Sequence, residues 1–341
     1  MKGTSDFAYY MTSYLSAYLP GQRNVSTNTV KSYRDTFRLL LIYIRDEENI
    51  LPERIQMKSI TRNLICKFLD WLEKERNCSI TTRNQRLACI HAFIRYVQSE
   101  TPENLFEYQR ILGIPSKKRI HKSLDYLSAE AVSAILKQPE QTCKRGRRDL
   151  VLLTLLYDSG ARVQELIDLT VIDLRLEAPA TVTLHGKGRK MRCIPLMSPT
   201  VQLLKSYLSE NELYEHPEKS CHPLFFNSRK QKLTRAGISY IINKYLSIAR
   251  MHTEIILPNN ISPHIFRHSK AMHMLQAGVN LIYIRDFLGH VNVTTTEIYA
   301  KADADVKRRA LEQAYINVSN LSQDDWNEDK SLMEWLSALC K

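Results

Sequence analysis

The sequence predicts a mainly α-helical chain with one small antiparallel β element, folded as two domains. Apolar residues recur at helical spacing along most of the chain, which is typical of amphipathic helices that share a core. One pair of β-prone runs, residues 181–185 and 191–196, flanks a glycine-rich turn and predicts a hairpin. With 341 residues and 44% hydrophobic content, the chain is long enough for two hydrophobic cores.

Composition narrows the class of partner. The net charge of +12 and the pI near 9.3 favour a polyanionic partner, with nucleic acid as the leading candidate. The longest nearly apolar run, residues 150–157, is shorter than the roughly 18 residues that a membrane span needs, and the N-terminus lacks a secretory pattern. Seven scattered cysteines without C-x-x-C spacing indicate reduced thiols. We therefore expect a cytoplasmic, nucleoid-associated protein without a membrane partner.

The first domain, residues 1–112, is predicted as a bundle of four helices with a short fifth helix at its end. The first helix is expected to end at Pro20, because proline lacks the N–H that a helix interior needs. Ser26, Thr61 and Ser79 each precede a stripe of apolar residues, so they can cap the next three helices.

Basic residues in this bundle and after it are candidates for contact with nucleic acid. On the helices, arginines beside polar amides could bind phosphates and base edges, or could form a solvated face. These candidates are Arg34, Arg83 and Arg86. Residues 113–124 form a proline-broken connector, which we predict to lie along a phosphate backbone; an ordinary solvated linker is the alternative. Its candidate contacts are Lys117, Lys118, Arg119 and Lys122.

The second domain begins with a helix capped at Ser128 and a buried apolar segment at residues 149–157. Gly160 then supplies a permissive backbone that lets the chain turn and direct Arg162 out of the buried segment. Glu165 lies one helical turn after Arg162 and could orient its guanidinium group. The alternative is an ordinary ion pair on a helix surface.

The predicted hairpin presents three cations in its turn. Lys187 lies between two glycines, so its side chain can reach where a bulkier turn could not. Arg189 and Lys190 follow, and we interpret them as phosphate contacts or solvated residues. Two more helices are predicted after the hairpin, one beginning at Ser198 and one within residues 234–251.

The densest chemistry lies between residues 264 and 299. His264 and Arg267 are one helical turn apart, so both side chains project from one helix face. A guanidinium group matches two phosphate oxygens and stays charged, while an imidazole exchanges a proton near neutral pH. His290 and Tyr299 follow; a phenol is a nucleophile only where a neighbour takes its proton or stabilises its anion.

These motifs together resemble the tyrosine recombinases, the family of integrases and Xer-type enzymes. H-x-x-R-H begins at His264, L-G-H ends at His290, and three threonines precede Tyr299. The upstream G-A-R-x-x-E-L and G-K-G motifs resemble the family's first arginine and its lysine. The resemblance implies a catalytic set of Arg162, Lys187, His264, Arg267, His290 and Tyr299, supported by Glu165. It also implies that residues 1–112 are a core-binding domain and residues 125–318 a catalytic domain.

The resemblance implies a reaction on double-stranded DNA. Tyr299 would attack the scissile phosphate, expel the 5′-oxygen and form a 3′-phosphotyrosyl link, which a second 5′-hydroxyl resolves. We expect the two arginines to neutralise phosphate charge, His264 to act as general base, Lys187 as general acid, and His290 to hydrogen-bond the phosphate. The phosphotyrosyl link conserves the energy of the broken bond, so we expect no need for ATP. Since no Asp/Glu cluster has metal-ligand spacing, we expect no metal, and we expect no other cofactor.

Several biological roles fit this chemistry. Integration or excision of a mobile element is the first, and Xer-type resolution of replicon multimers is the alternative. A type IB topoisomerase would share the chemistry without exchanging partners, and an inert DNA-binding regulator would use the fold without the chemistry.

The C-terminal residues 319–341 are predicted as an acidic linker and a short helix. That helix carries an apolar stripe of Leu332, Trp335, Leu336 and Leu339. The resemblance implies that this stripe docks on an adjacent protomer within a tetramer on two DNA sites; packing in cis is the alternative. An accessory directionality factor is a further possible partner.

Overall fold

A computed structural model of the chain describes residues 5–101, 103–118, 125–186, 190–213, 221–290, 292 and 294–302. The described part of the protein is mostly helical and contains one three-stranded antiparallel sheet. This agrees with the predicted fold class. The chain forms two compact units, Met1–Lys122 and Ser123–Lys341, and the division lies within the predicted connector. No helix among the described residues is long and apolar enough to cross a membrane.

The first unit contains five α-helices in its described part, together with one π-helix and two short 3₁₀ turns. The α-helices are α1 (Asp6–Ser13), α2 (Thr27–Asp46), α3 (Arg62–Lys74), α4 (Ile80–Glu100) and α5 (Leu105–Leu112). The side chains of Ser26, Thr61 and Ser79 accept hydrogen bonds from the first turns of α2, α3 and α4, which confirms the predicted starts. The buried faces of these helices form the core of the unit.

The first helix does not end at Pro20, which corrects the prediction. The chain continues from α1 into a π-helix, Tyr14–Gln22, that contains Pro20. In this wider helix the N–H of Arg23 donates to the carbonyl of Tyr18, five residues back. A proline ring clashes with the carbonyl four residues before it in an α-helix, and the wider π turn avoids that geometry.

The second unit contains eight α-helices and three strands in its described part. The helices are α6 (Ala129–Leu136), α7 (Lys144–Asp158), α8 (Val163–Asp168), α9 (Ser198–Glu210), α10 (Arg235–His252), α11 (His264–Gln276), α12 (Leu281–Leu288) and α13 (Thr294–Ala302). The strands are β1 (Leu174–Arg175), β2 (Thr181–His185) and β3 (Met191–Pro195), in the order β1-β2-β3. The hairpin prediction is confirmed by the pairing of β2 with β3, in which Thr183 lies opposite Cys193. Strand β1 was not predicted, because two residues carry no periodic signal.

Two apolar clusters stabilise the second unit. The larger one joins α6 to α10 with the sheet and the first turn of α11. The smaller one holds α11, α12 and α13 together through buried residues that include Met272, Ile284, Leu288 and Tyr299. The predicted nucleophile therefore lies in a small apolar core of its own.

Gly160 makes the turn that follows α7, as the sequence predicts. Its φ is +55°, in the left-handed region, and a Cβ built there would lie 3.0 Å from Phe287 Cε1 and 3.2 Å from Leu288 Cδ2. Glycine is needed here both for the backbone conformation and for the close approach of α12.

We expect Gly160→Ala to lower the free energy of unfolding by about 1–3 kcal/mol, because it adds left-handed strain and crowds α12. Urea denaturation measures this loss, and DNA cleavage should fall with it. Gly278→Ala is the matched control: its φ is +84°, but no atom lies within 4 Å of the added Cβ. The control should lose stability through strain and keep its cleavage rate. Equal losses of cleavage in both variants would contradict the prediction.

Candidate active site

The described members of the predicted catalytic set converge around the C-terminal end of α12. Arg162 precedes α8, and its Nη2 lies 3.5 Å from the carbonyl of Gly289. Arg267, on the first turn of α11, donates to the carbonyl of Leu288. The rings of His290 and Tyr299 are stacked, with centroids 6.4 Å apart and an interplanar angle of 8°.

The site opens into a cavity of about 480 Å³. Its lining residues are Arg162, Gly186, Lys190, Met191, Arg192, Asp286, Gly289 and His290. Lys187 and Arg189 lie outside the described residues, whereas their neighbours Gly186 and Lys190 line this cavity. A cavity with cationic walls and a volume of this size can hold a phosphate group.

Arg267 is fixed by the backbone of two neighbouring segments. Its side chain is buried, and Nη1 donates to the carbonyl of Gly160 at 2.6 Å while Nη2 donates to that of Leu288. A guanidinium group has five N–H donors, so these two bonds leave others for an anion. Burial, with Arg162 and Arg192 nearby, lowers the pKa of Arg267 to about 9, and the group is still charged at neutral pH.

Glu165 joins two arginines from different elements. Its carboxylate accepts from Arg192 at 2.6 and 2.9 Å and from Arg162 Nη1 at 2.7 Å, and it also accepts from the backbone N–H of Arg162. Burial alone would raise the pKa of Glu165, but the hydrogen bonds from Arg192 and Arg162 outweigh burial and lower the pKa to about 2. Glu165 therefore orients Arg162, and the alternative of a plain surface pair is excluded by its 4% exposure.

Arg192 is a site residue that sequence reasoning missed. It lies on β3 with 10% of its side chain exposed, and its Nε donates to the carbonyl of Phe287 on α12. Its position in the strand could have predicted this burial. Arg192 is two residues before the buried Ile194, so both side chains lie on the inward face of β3.

The described charges of the pocket do not balance. Three guanidinium groups, from Arg162, Arg192 and Arg267, lie around the carboxylate of Glu165. The other two charged residues that line the cavity, Lys190 and Asp286, have opposite charges that cancel in the sum. The surplus of two positive charges in a partly buried site favours a bound anion. The repulsion between the arginines is part of what holds the pKa of Arg267 down.

The two predicted site histidines are neutral at pH 7. Burial, followed by the charges of Arg267 and Arg162, lowers the pKa of His290 to about 4. The same causes lower the pKa of His264, which begins α11. The Nδ1 of His290 lies 2.9 Å from the hydroxyl of Thr296, and if that hydroxyl donates, the ring carries its proton on Nε2.

Tyr299 is 1% exposed, and its hydroxyl lies 2.9 Å from Nδ1 of His268. Burial raises the pKa of Tyr299, while the charges of Arg267 and Arg162 oppose that rise.

His268 completes the H-x-x-R-H motif, but sequence reasoning gave it no role. The signal was its position four residues after His264, which places both rings on one helix face. Between the described residues His264 and Tyr299 the structure shows no hydrogen bond.

The predicted DNA contacts on the first unit divide into exposed and buried groups. Arg34 is 63% exposed and paired with Asp35, and Lys118 is exposed. Arg86 is half-buried and donates to the carbonyl of Ser32 and the hydroxyl of Thr36. Arg119 and Lys122 lie outside the described residues.

Arg83 is not presented to a ligand, which corrects its interpretation as a DNA contact. Its side chain is 6% exposed on α4 and donates to Asn84 and to the carbonyl of Pro115. Asn84 in turn exchanges two hydrogen bonds with the backbone of Lys117, at 2.8 and 3.1 Å. The Lys117 ammonium group lies 2.7 Å from Glu73. These residues fasten the start of the basic connector to the first unit.

Comparison with known proteins covers both units. The profile of the phage integrase family matches residues 125–305, and that of the phage integrase N-terminal SAM-like domain matches residues 13–101. An integrase/recombinase of Sinorhizobium fredii, y4rC, is 34% identical over 98% of this chain and 99% of its own length. Tyrosine recombinase XerD of Oceanobacillus iheyensis is 31% identical over 83% of this chain and 90% of its own.

Solved structures share the fold. The XerH site-specific recombinase, bound to its difH substrate in a pre-cleavage complex, has a TM-score of 0.65 and 25% identity, over 89% of this chain and 84% of that chain. The Tn1549 transposon integrase in complex with transposon right-end DNA has a TM-score of 0.67 and 18% identity. The match covers 89% of this chain and 98% of that chain. With the family profile spanning more than half of its length, this chain belongs to the phage integrase family of tyrosine recombinases, enzymes that cleave and rejoin DNA strands.

Proposed function

We propose that this chain integrates and excises a mobile element by exchanging DNA strands through a 3′-phosphotyrosyl link at Tyr299. The observation that carries the proposal is a buried tyrosine hydroxyl beside a pocket in which three guanidinium groups face one carboxylate. A protein that only binds DNA has no need of a phenol in such a place. The similarity to an integrase/recombinase over nearly the whole chain supports a mobile element as the substrate.

The charge of the pocket fits the change in charge of a reacting phosphodiester. The diester carries one negative charge, and a second develops as the phenol oxygen adds to phosphorus. Arg162 and Arg267 would hold the two non-bridging oxygens, and the surplus of two positive charges matches that dianion. Donors fixed before the reaction stabilise such a state without reorganising.

The remaining residues have separate roles in the proposed reaction. His290 would donate from Nε2 to a non-bridging oxygen, since its Nδ1 is engaged by Thr296. His264 would face the phosphate from the first turn of α11, where the resemblance makes it the first candidate for the general base. Lys187 would protonate the leaving 5′-oxygen. In this proposal side chains neutralise the phosphate charge and carry out both proton transfers. We therefore expect full activity with EDTA and without ATP.

Xer-type resolution of replicon multimers is the second candidate role, favoured by the 31% identity to XerD. A type IB topoisomerase and an inert DNA-binding regulator are the remaining alternatives. These roles differ in whether strands change partners.

A plasmid assay tests the proposal. A target duplex is first selected from a randomised pool by binding to the full chain, and two copies are cloned into a supercoiled plasmid. With EDTA and no ATP, we expect deletion of the DNA between direct repeats. Relaxation without exchange would identify a topoisomerase, and binding without any covalent adduct would identify a regulator. Location of the selected sequence at the ends of a mobile element, rather than at a replicon's resolution site, would separate the first two roles.

A sulfur-substituted substrate tests Lys187 as the general acid. A 5′-thiolate leaves without protonation, so this substrate should restore cleavage to Lys187→Ala by about 100-fold or more and leave Arg267→Ala little changed. Lys190→Ala is the matched control, because Lys190 lines the same cavity from the hairpin. Equal rescue of the Lys187 and Arg267 variants would remove Lys187 from this role.

The proposed assembly is a tetramer on two DNA sites, in the cytoplasm at the nucleoid. An accessory factor would set the direction of recombination, integration or excision.

The apolar stripe of residues 332–339 lies outside the described residues. Burying one Trp and three Leu gives about 1.5–3 kcal/mol per side chain before ordering costs, enough to bias assembly. Deleting residues 326–341 should therefore spare binding to one half-site and impair cooperative filling of the full site. If the deletion instead lowers the melting temperature of the free monomer, the stripe packs in cis.

A further inference from the structure

The hydrogen bond between Tyr299 and His268 connects the proposed nucleophile to a possible proton acceptor. The Nδ1 of His268 lies 2.9 Å from the Tyr299 hydroxyl, and the ring centroids are 5.8 Å apart. The rest of the phenol is packed against apolar residues of the α11–α13 cluster, among them Met272 and Leu288. A phenol O–H in these surroundings donates to the nearest lone pair, which is the one on Nδ1.

The imidazole of His268 is free to accept. Burial, then the neighbouring His264 and Arg267, lowers its pKa, so the ring is neutral at pH 7. The charged or titratable groups that face it are His264 and Arg267 on α11, Tyr299 on α13, and His290 after α12. Acceptance at Nδ1 requires the tautomer whose proton is on Nε2.

We propose that His268 is the catalytic base of strand cleavage and takes the Tyr299 proton through Nδ1. This inference rests on the proposed function and moves the role of base from His264 to His268. The O–H bond of Tyr299 breaks, and its proton goes to Nδ1. An electron pair of the phenol oxygen forms the bond to phosphorus. The P–O5′ bond then breaks, and the 5′-oxygen leaves with its electron pair and is protonated by the general acid. During rejoining each step runs in reverse, and His268 returns the proton to the phenol.

Substrate binding makes His268 a better base. In the free protein, the cationic surroundings and burial disfavour the imidazolium form. A DNA phosphate held by Arg162 and Arg267 brings negative charge into the pocket and offsets part of that repulsion. The second negative charge that develops during attack stabilises the imidazolium further. Proton transfer is therefore coupled to phosphate binding, and Tyr299 stays protonated while the site is empty.

A positioning role for His268 makes a different prediction. The Oδ1 of asparagine can occupy the place of Nδ1 and accept the phenol hydrogen bond, but it cannot take the proton. His268→Asn therefore keeps the contact and removes the base. If the histidine only holds the ring of Tyr299, this variant should cleave nearly as well as the native chain.

The experiment is single-turnover cleavage of a nicked duplex containing the selected target sequence, at pH values from about one unit below to about three units above the usual histidine pKa of ~6.5. We expect His268→Asn to bind normally and to form the covalent adduct about 100- to 10,000-fold more slowly, with a rate that rises tenfold per pH unit as hydroxide replaces the base. His264→Asn should be slower without acquiring that pH dependence. A His268→Asn rate within about threefold of the native one, or a loss with an unchanged pH profile, overturns the proposal.

A second variant protects the test against misfolding. Replacing Tyr299 with a fluorinated tyrosine, whose phenol is more acidic, reduces the need for a base. It should raise the cleavage rate of the His268→Asn chain and leave that of an Arg162→Ala chain unimproved; equal improvement in both overturns the proposal. A native chain that forms no adduct at all refutes the proposed function itself, whereas normal native cleavage with an unimpaired His268→Asn refutes the role of His268 alone.

Discussion

A Tyr299→Phe chain is expected to bind its target DNA and to form no covalent adduct. The substitution removes one oxygen from a ring that is otherwise packed against carbon, so the α11–α13 cluster should persist. The lost hydrogen bond to His268 should change the free energy of unfolding by only about 0.5–1.5 kcal/mol. With a nicked suicide duplex, the native chain should trap an adduct that leaves a free 5′-hydroxyl, and the variant should trap none on a denaturing gel.

Tyr283→Phe serves as the matched control for this prediction. Tyr283 is 70% exposed on α12, within the same group of three helices. The control should cleave at the native rate. An adduct that persists in the Tyr299 variant would mean that another residue is the nucleophile.

An Arg267→Ala chain is expected to lose both cleavage and stability. Removing one fixed donor to a developing oxyanion typically costs about 100- to 1,000-fold in rate. The substitution also strips the buried carbonyls of Gly160 and Leu288 of their donor, and each unsatisfied group costs about 1–3 kcal/mol. Relief of repulsion with Arg162 and Arg192 offsets part of this loss. Single-turnover cleavage and urea denaturation measure the two effects.

Arg162→Ala separates phosphate binding from structural support. The Arg162 side chain is 36% exposed, and Glu165 keeps its stronger partner Arg192 when Arg162 is removed. Its loss should slow cleavage to a similar degree but should destabilise the fold much less than loss of Arg267. If both variants unfold at the same urea concentration, the two carbonyl bonds of Arg267 do not support the fold.

The elements that the sequence predicted best are those with local signals. Ser26, Thr61, Ser79 and Ser128 all cap helices where a polar residue precedes an apolar stripe. The turn at Gly160 was also predictable, because the need for a left-handed residue after a buried helix is local. Caps, periodicity and turns depend on neighbours within a few residues, so a single sequence contains them.

What could not be predicted depends on contacts between distant segments. Arg83 belongs to a charged helix face, and its burial follows from the connector folding back over α4 at Pro115. In the sequence Arg192 is an ordinary strand residue. Its place in the site depends on contacts with Phe287 on α12 and with Glu165, which are distant in the chain. His268 acquires a role only because α13 brings Tyr299 to it from 31 residues away.

The apolar cluster around Tyr299 also bears on why such an enzyme does not act as a nuclease. A phosphate ester on this phenol has two competing acceptors, a DNA hydroxyl and water. Met272, Ile284 and Leu288 belong to the same buried apolar cluster as the ring, so water is excluded on that side of the ester, and excluding water suppresses hydrolysis of a reactive intermediate. The DNA end, which is held in place, then meets the ester more often than solvent does. If Tyr299 is the nucleophile, this apolar packing favours resealing over a permanent break in the DNA.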